Sequence, residues 1–379
     1  MVQTGIAHLP LHPGKAPRWL FQKMVTLSQG ILEMLIYEYG IDEVLRRLSD
    51  PFWFQAFSCV LGFDWHSSGT TTVTCGALKE ALNKENLGLG VAGGKGTASR
   101  NTLNDIERLA ERYALSTQTL QQIQYASRMS AKVDSSAVQD GYKLYHHVII
   151  FSETGRWAVI QQGLNNDHAY ARRYHWLSEN VTKFICEPHT AIVGDQTQLG
   201  VLDMTASQSI STQKISVDLV NDHPSHLKHD WAELLRPAHQ RTLDDWTSPK
   251  HNKTSIEYLH MPRNINWQLM QEIYDVHPHN YEELIALPGV GPATVRALAL
   301  IADLIYGEPP SWKDPIRYTF AHGGKDGVPF PVDQPTYQQS IDMIHEAVRQ
   351  ARISEHQKRD ALKRFHRFAA EIPLCPVSS

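Results

Sequence analysis

The stretch YKLYHHVIIF–SETG–RWAVIQQGL, residues 142–164, constrains this chain more than any other. Two runs rich in aromatic and β-branched residues flank a four-residue turn, which is the pattern of a β-hairpin. Segments before about residue 130 and after about residue 260 instead place apolar residues at helical spacing. An antiparallel sheet must therefore sit between helical regions, so the expected class is α+β. The expected layout is a helix-rich N-terminal region, a central hairpin-containing sheet and an all-helical C-terminal domain.

The helical readings are RWLFQKMVTLSQGILEMLIYEYG and IDEVLRRLSD near the start, and a short helix from about Gly76 to Asn83. At the other end they are NWQLMQEIYDV, NYEELIAL, PATVRALALIADLIYG, TYQQSIDMIHEAVRQA and SEHQKRDALKRFHRFAAEI. NLGLGVAGGKG reads as a glycine-rich loop feeding a helix capped by Ser99, Asn101 or Thr102. AYARRYHWLSENV reads as a helix, while TAIVGD, LGVLDMTA and KISVDLV read as short strands or extended pieces. The polar, proline-punctuated string over 236–265 divides the chain into an α+β catalytic region (1–235), a linker or surface excursion, and a helical domain (266–379).

At 379 residues, 42% hydrophobic and 20% charged, with mean hydropathy −0.36, the composition is that of a soluble globular protein. The opening residues lack a basic segment followed by an apolar core, and no window approaches the length of an apolar span. Neither export nor membrane insertion is expected. Cys59, Cys75, Cys186 and Cys375 are scattered and form no C-x-x-C pair, which argues against a disulfide framework or a thiolate zinc site and for a reducing cytoplasm.

A net charge of −4 offers no global attraction to nucleic acid, so any such binding must be local. One basic segment, Arg349 to Arg367, stands out; it includes Lys363 and Arg364. The other candidate is LPGVGPATVRALAL, Leu287 to Leu300. Here Pro288 stops one helix, Gly289 and Gly291 permit close backbone approach around Val290, and Pro292 suits the first position of the next helix. Unpaired N–H groups at that positive helix end, up to Thr294, would accept phosphate oxygens without reading sequence. The stretch resembles a helix-hairpin-helix, which implies a DNA-backbone ligand, with the basic helix as its expected neighbour.

Some base-excision glycosylases with this motif follow it with a V-D whose carboxylate acts on the sugar; FPVDQPTY places Asp333 similarly. An intervening PPSWKDPIRYTFAHGGKDGVPF departs from that pattern, and Ala293 stands where lyase members keep lysine.

Metal-ligand chemistry concentrates upstream. GFDWHSSGTTT supplies Asp64 and His66, and SAKVDSSAVQDGYKLYHH supplies Lys132, Asp134, Asp140, His146 and His147. Aspartate with histidine suits Mg, Mn or Zn, and lysine stabilises charge on a phosphoryl group. Adjacent histidines on a strand point to opposite faces, so one of His146 and His147 falls outside any single site. GGKG offers Lys95, but it is no P-loop, because Leu89 occupies the first glycine position and Gly96 replaces the hydroxyl residue. ARRYHW pairs Arg172 and Arg173 with aromatics, as a phosphate-and-base surface would. His189 is a further candidate ligand.

TGIAHLPLHPGKAPRWL, LSDPFWFQAFSCVLGFDWHSSG, WAVIQQG and AHGGKDGVPFPVD, with the strings above, are similar to a prokaryotic family catalogued as domain of unknown function seven-six-three. The resemblance spans nearly the whole chain and implies that the N-terminal half and the hairpin belong to one architecture. It brings no residue roles with it.

The leading expectation is a DNA-binding, divalent-metal-dependent nuclease. Asp64, His66, Asp134, Asp140 and His146 would hold metal, and Lys95 or Lys132 would meet the scissile phosphate beside Asp140. Gly289, Val290, Gly291, Thr294, Arg172, Arg173, Lys363 and Arg364 would contact DNA. The alternatives are a glycosylase-like enzyme using Asp333 and a non-catalytic DNA-structure binder. A homo-oligomer stays open.

Overall fold

The computed structural model describes residues 16–63, 68–84, 86–165, 170–194, 197–235, 262, 265–316, 318–319 and 334–371. Asp64, His66 and Asp333, and most of the 236–265 segment, lie outside them.

The chain begins with helices α1 (Arg18–Tyr39), α2 (Ile41–Ser49), α3 (Pro51–Leu61) and α4 (Gly69–Lys84). Asp50 accepts a 2.8 Å bond from the Trp53 amide, and Pro51 takes the first turn of α3, a combination that satisfies one helix-end donor and removes another. Strand β1 (Leu89–Lys95) precedes α5 (Thr97–Arg100), α6 (Thr102–Arg112) and α7 (Thr117–Lys132). The last runs into a π-helical turn, Val133–Ala137, and then β2 (Val138–Gln139). The expected hairpin is present as β3 (Lys143–Ser152) and β4 (Trp157–Asn165), followed by β5 (Tyr170–Leu177), β6 (His189–Gly194) and β7 (Leu199–Asp203). Then come α8 (Ile210–Asn221), α9 (Pro224–Leu234), α10 (Trp267–Val276), α11 (Tyr281–Ala286), α12 (Pro292–Leu304), β8 (Ser311–Lys313), β9 (Tyr318–Thr319), α13 (Gln334–Gln350) and α14 (Glu355–Glu371).

The main sheet has strand order β1-β3-β4-β5-β6-β9, antiparallel except for the parallel β6–β9 pair; β2, β7 and β8 form a second, three-stranded sheet. This is the α+β class that the hairpin and its helical flanks imply. Side chains alternate between two apolar clusters. Val148, Ile150, Ala158 and Ile160 join the first, with α1–α4, α13 and α14. Ile149, Phe151, Val159, Tyr174 and Trp176 join the second, with α6, α7, α8, α9 and α10–α12. The helices after 266 therefore divide between the two layers, and the two hydrophobic clusters do not follow the boundary near 260.

Three local readings change. NLGLGVAGGKG is strand β1, not a loop: Gly93 adopts φ 96°, and a Cβ there would lie 2.2 Å from the His147 carbonyl oxygen, so glycine is what lets β1 close on β3. AYARRYHWL is strand β5, not a helix; its alternation sends Tyr174 and Trp176 to one face and Arg173 and His175 to the other. KISVDLV is helical within α8, where Val217 and Val220, three apart, pack inward. TAIVGD and LGVLDMTA do supply β6 and β7.

Candidate functional site

α7 does not stop cleanly at Lys132. The π-turn widens its last coil by one residue, a device often found at functional positions, and rotates Asp134 into the second face of the sheet. There Asp134 is fully buried. Its Oδ1 lies 2.5 Å from His189 Nε2, and its Oδ2 accepts from Gln161 Nε2 (2.6 Å) and Trp176 Nε1 (3.0 Å). The Gln161 Oε1 lies 2.9 Å from His147 Nδ1, and His147 Nε2 lies 2.8 Å from Ser127 Oγ. A chain of polar side chains thus runs from α7 through β3 and β4 to the π-turn and β6. Burial holds the His147 ring below the usual histidine range, while Gln161 and the Asp134 charge pull it back up.

Asp140 closes a second cluster on the same face. It accepts from Arg172 Nη1 (2.9 Å), Tyr174 Oη (2.7 Å) and the Tyr142 amide (3.1 Å). Arg172 also grips Asp314 through both terminal nitrogens (3.0 and 2.8 Å) and lies over the Tyr142 ring. Burial pushes the Asp140 carboxyl up against the downward pull of the guanidinium.

On the opposite face, Arg173 donates to His175 Nε2 (2.8 Å) and Gln55 Oε1 (3.1 Å) and stacks on Phe54. On that same face, two strands away, His146 is buried, and neither ring nitrogen has a hydrogen-bond partner among the described residues. Burial drives its pKa down to about 3.

Several expectations therefore need correcting. Arg172 and Arg173 are not a nucleic-acid surface; both are fully buried, one between two carboxylates and the other over an aromatic ring. Arg364 is spent as well, donating through Nε and Nη2 to the Val60 carbonyl at the C-terminus of α3 (3.1 and 2.7 Å), where a cation offsets the helix dipole. Its helix, α14, packs on α3 and α13 in the first layer, whereas α11 and α12 belong to the second. Lys363 is exposed. His146 shares no face with Asp134, because successive residues of β3 point oppositely. Asp134 and Asp140 spend their oxygens on protein donors, and no group of three or more histidine, cysteine, aspartate or glutamate side chains converges as a metal site among the described residues.

Other expected residues do meet. The α11–α12 turn spans Leu287–Gly291, with Gly289 at φ 84°. Asn280 caps α11 through its side chain, and Glu283 reaches back to the His279 amide (2.8 Å), a reciprocal cap that fixes where the turn sits. Val290 and Thr294 face inward, while Gly289, Pro292 and Ala293 are exposed. This turn rests on the π-turn: Lys132 Nζ donates to the Leu287 carbonyl (3.3 Å), Gln139 Nε2 to that of Pro292 (2.8 Å), and Arg296 Nε to Gln139 Oε1 (2.7 Å). Lys95 is exposed, with Nζ 5.6 Å from the centre of the Tyr145 ring.

A cavity of about 280 Å³ opens along α7. Its lining includes Ser127, His147, Thr102 and Tyr145, with exposed Arg100 and Arg128 among them. Sequence reasoning missed Ser127, Gln161 and Asp314. Two signals were legible: Ser127 and Ser130 sit among the inward positions Ile123, Ala126 and Met129 of α7, and Gln161 follows Trp157 and Val159 on the inward alternation of β4.

A family model described as a protein of unknown function, DUF763, matches residues 5–332. The chain belongs to that family. The DUF763 match takes in the sheet, the polar clusters around Asp134 and Asp140, the cavity and the α11–α12 turn, and ends before α13. No curated protein and no solved structure matches the chain. Among the described residues, no helix is long and apolar enough to cross a membrane. What the DUF763 architecture does chemically has to be read from its geometry.

Proposed function

We propose that this protein binds a nucleic-acid backbone, DNA in the first instance, at the α11–α12 turn and processes the strand beside the π-turn. One observation supports this reading above the others: the Lys132 ammonium, at the end of α7, meets the Leu287 carbonyl of the turn at 3.3 Å. Two features that lie 155 residues apart in sequence form one surface.

The chemistry of that surface suits a phosphodiester. α12 is 13 residues long, and the N–H groups of Gly291, Ala293 and Thr294 meet no backbone acceptor among the described residues. They face the positive end of the helix, where a phosphate oxygen is favoured without base contacts. Lys132 and Arg296 flank the turn, and burial pulls both below their ordinary pKa, so an arriving anion compensates for solvation already lost. The acidic residues of α11, Glu282 and Glu283, are occupied by Tyr125 and by capping bonds at the helix's other end.

The test is binding and cleavage of labelled single-stranded, duplex and branched DNA by the full chain, with and without Mg or Mn. Expected is salt-sensitive binding that weakens in Lys132→Ala by several-fold, with a salt slope reduced by about 1. Absence of affinity for every form at about 100 mM salt would exclude the reading.

A further inference from the structure

We infer that Ser127 is a nucleophile activated by His147, and that the cavity it lines receives a phosphodiester of the bound strand. The observation is the direction of the hydrogen bonds. Trp176 Nε1 can only donate, and the oxygens of the Asp134 carboxylate accept, so Gln161 presents Nε2 to Asp134. Its Oε1 then faces His147 and must accept from Nδ1–H. That leaves the lone pair on His147 Nε2, and the group 2.8 Å from it is the Ser127 hydroxyl. The serine donates to the imidazole, the imidazole is oriented by Gln161, and Gln161 is fixed by a buried carboxylate. This is the relation of nucleophile, general base and orienting group, with an amide inserted before the acid.

Ser127 is 4% exposed and His147 7%, and both belong to the cavity wall. Among the described residues no carboxylate lines that wall, whereas Arg100 and Arg128 do. Two guanidinium groups select an anionic substrate and stabilise charge developing on its phosphoryl oxygens. Arg128 and Lys132, four residues apart, lie on one face of α7 about 6 Å apart along its axis. They connect the cavity mouth to the α11–α12 turn, so a strand held at the turn reaches Ser127. Here the inference rests on the nucleic-acid reading; the activation of Ser127 does not.

The step balances within the protein. Ser127 Oγ attacks phosphorus and its proton passes to His147 Nε2. The bond from phosphorus to the leaving sugar oxygen breaks, and that oxygen takes the proton from His147. Water, deprotonated by the freed imidazole, then displaces Ser127, which recovers the proton.

The experiment treats the full-length protein with a fluorophosphonate and maps the adduct by mass spectrometry, with circular dichroism reporting the fold of each variant. Expected is a single adduct on Ser127, absent in Ser127→Ala, forming about 100-fold or more slowly in His147→Gln. On DNA, Ser127→Ala loses cleavage while retaining binding. No adduct on Ser127 in folded protein, or cleavage by Ser127→Ala at the wild-type rate, overturns the proposal. Labelling needs no DNA, so a protein that reacts at Ser127 yet binds no DNA retains the activated serine and loses the phosphodiester substrate. One that binds DNA but stays unlabelled loses the nucleophile alone.

Discussion

His146 and His147 are neighbours on one strand and both buried, yet they occupy opposite situations. His147 has both ring nitrogens bonded, to Ser127 and to Gln161, and through Gln161 it reaches Asp134. His146, on the other face, has neither bonded among the described residues. Burial alone does not assign a histidine a role; the completeness of its hydrogen bonding does. A satisfied polar chain in a low-dielectric interior fixes tautomer and orientation, whereas an unpaired ring only adds a desolvation cost.

The largest expected effect that sharpens this contrast is acid sensitivity. Burial lowers both pKa values below that of a histidine in the unfolded chain, His146 to about 3. Below about pH 6.5 the unfolded chain therefore binds protons that the folded chain refuses, and stability falls toward pH 3 by about 1.4 kcal/mol per pH unit for His146. Denaturant titrations across that range check the slope. His146→Leu should flatten it and move the acid midpoint down.

Next in size is Asp134→Ala, which strands the Gln161, Trp176 and His189 donors at once and should cost about 3 kcal/mol or more. A loss under about 1 kcal/mol in urea unfolding would mean that the chain is not a structural unit. A matched pair of substitutions then tests the comparison itself. His147→Leu leaves Ser127 and Gln161 unpaired, at about 1–3 kcal/mol, whereas His146→Leu should fall within about 1 kcal/mol of wild type or stabilise it. Equal losses would erase the distinction. The smallest effect is that of Lys132→Ala on DNA affinity, about 1 kcal/mol, read by fluorescence anisotropy over a salt series.

The sequence disclosed the β3–β4 hairpin because its alternation is uninterrupted and its turn is polar. It hid β5, because two adjacent arginines in ARRYHW look like a surface until their partners are known. Arg172 is burial-competent only because Asp140 and Asp314 close on it, and Asp314 sits in a stretch that reads as an insertion but supplies β8. Lys132 and the α11–α12 turn were both legible as candidates, but their contact was not, since it depends on α12 packing against the π-turn. Asp134 and Asp140 were legible as acidic ligands for a metal. What periodicity could not convey is that Gln161, Trp176, Tyr174 and Arg172 take up their oxygens.

The most direct measurement is amide hydrogen exchange of the full-length protein with and without bound DNA. New protection is expected over residues 287–294 and over 126–137, the two halves of the surface joined by Lys132 and Leu287. Protection confined to α14, or none at either half under conditions where DNA is bound, would contradict it.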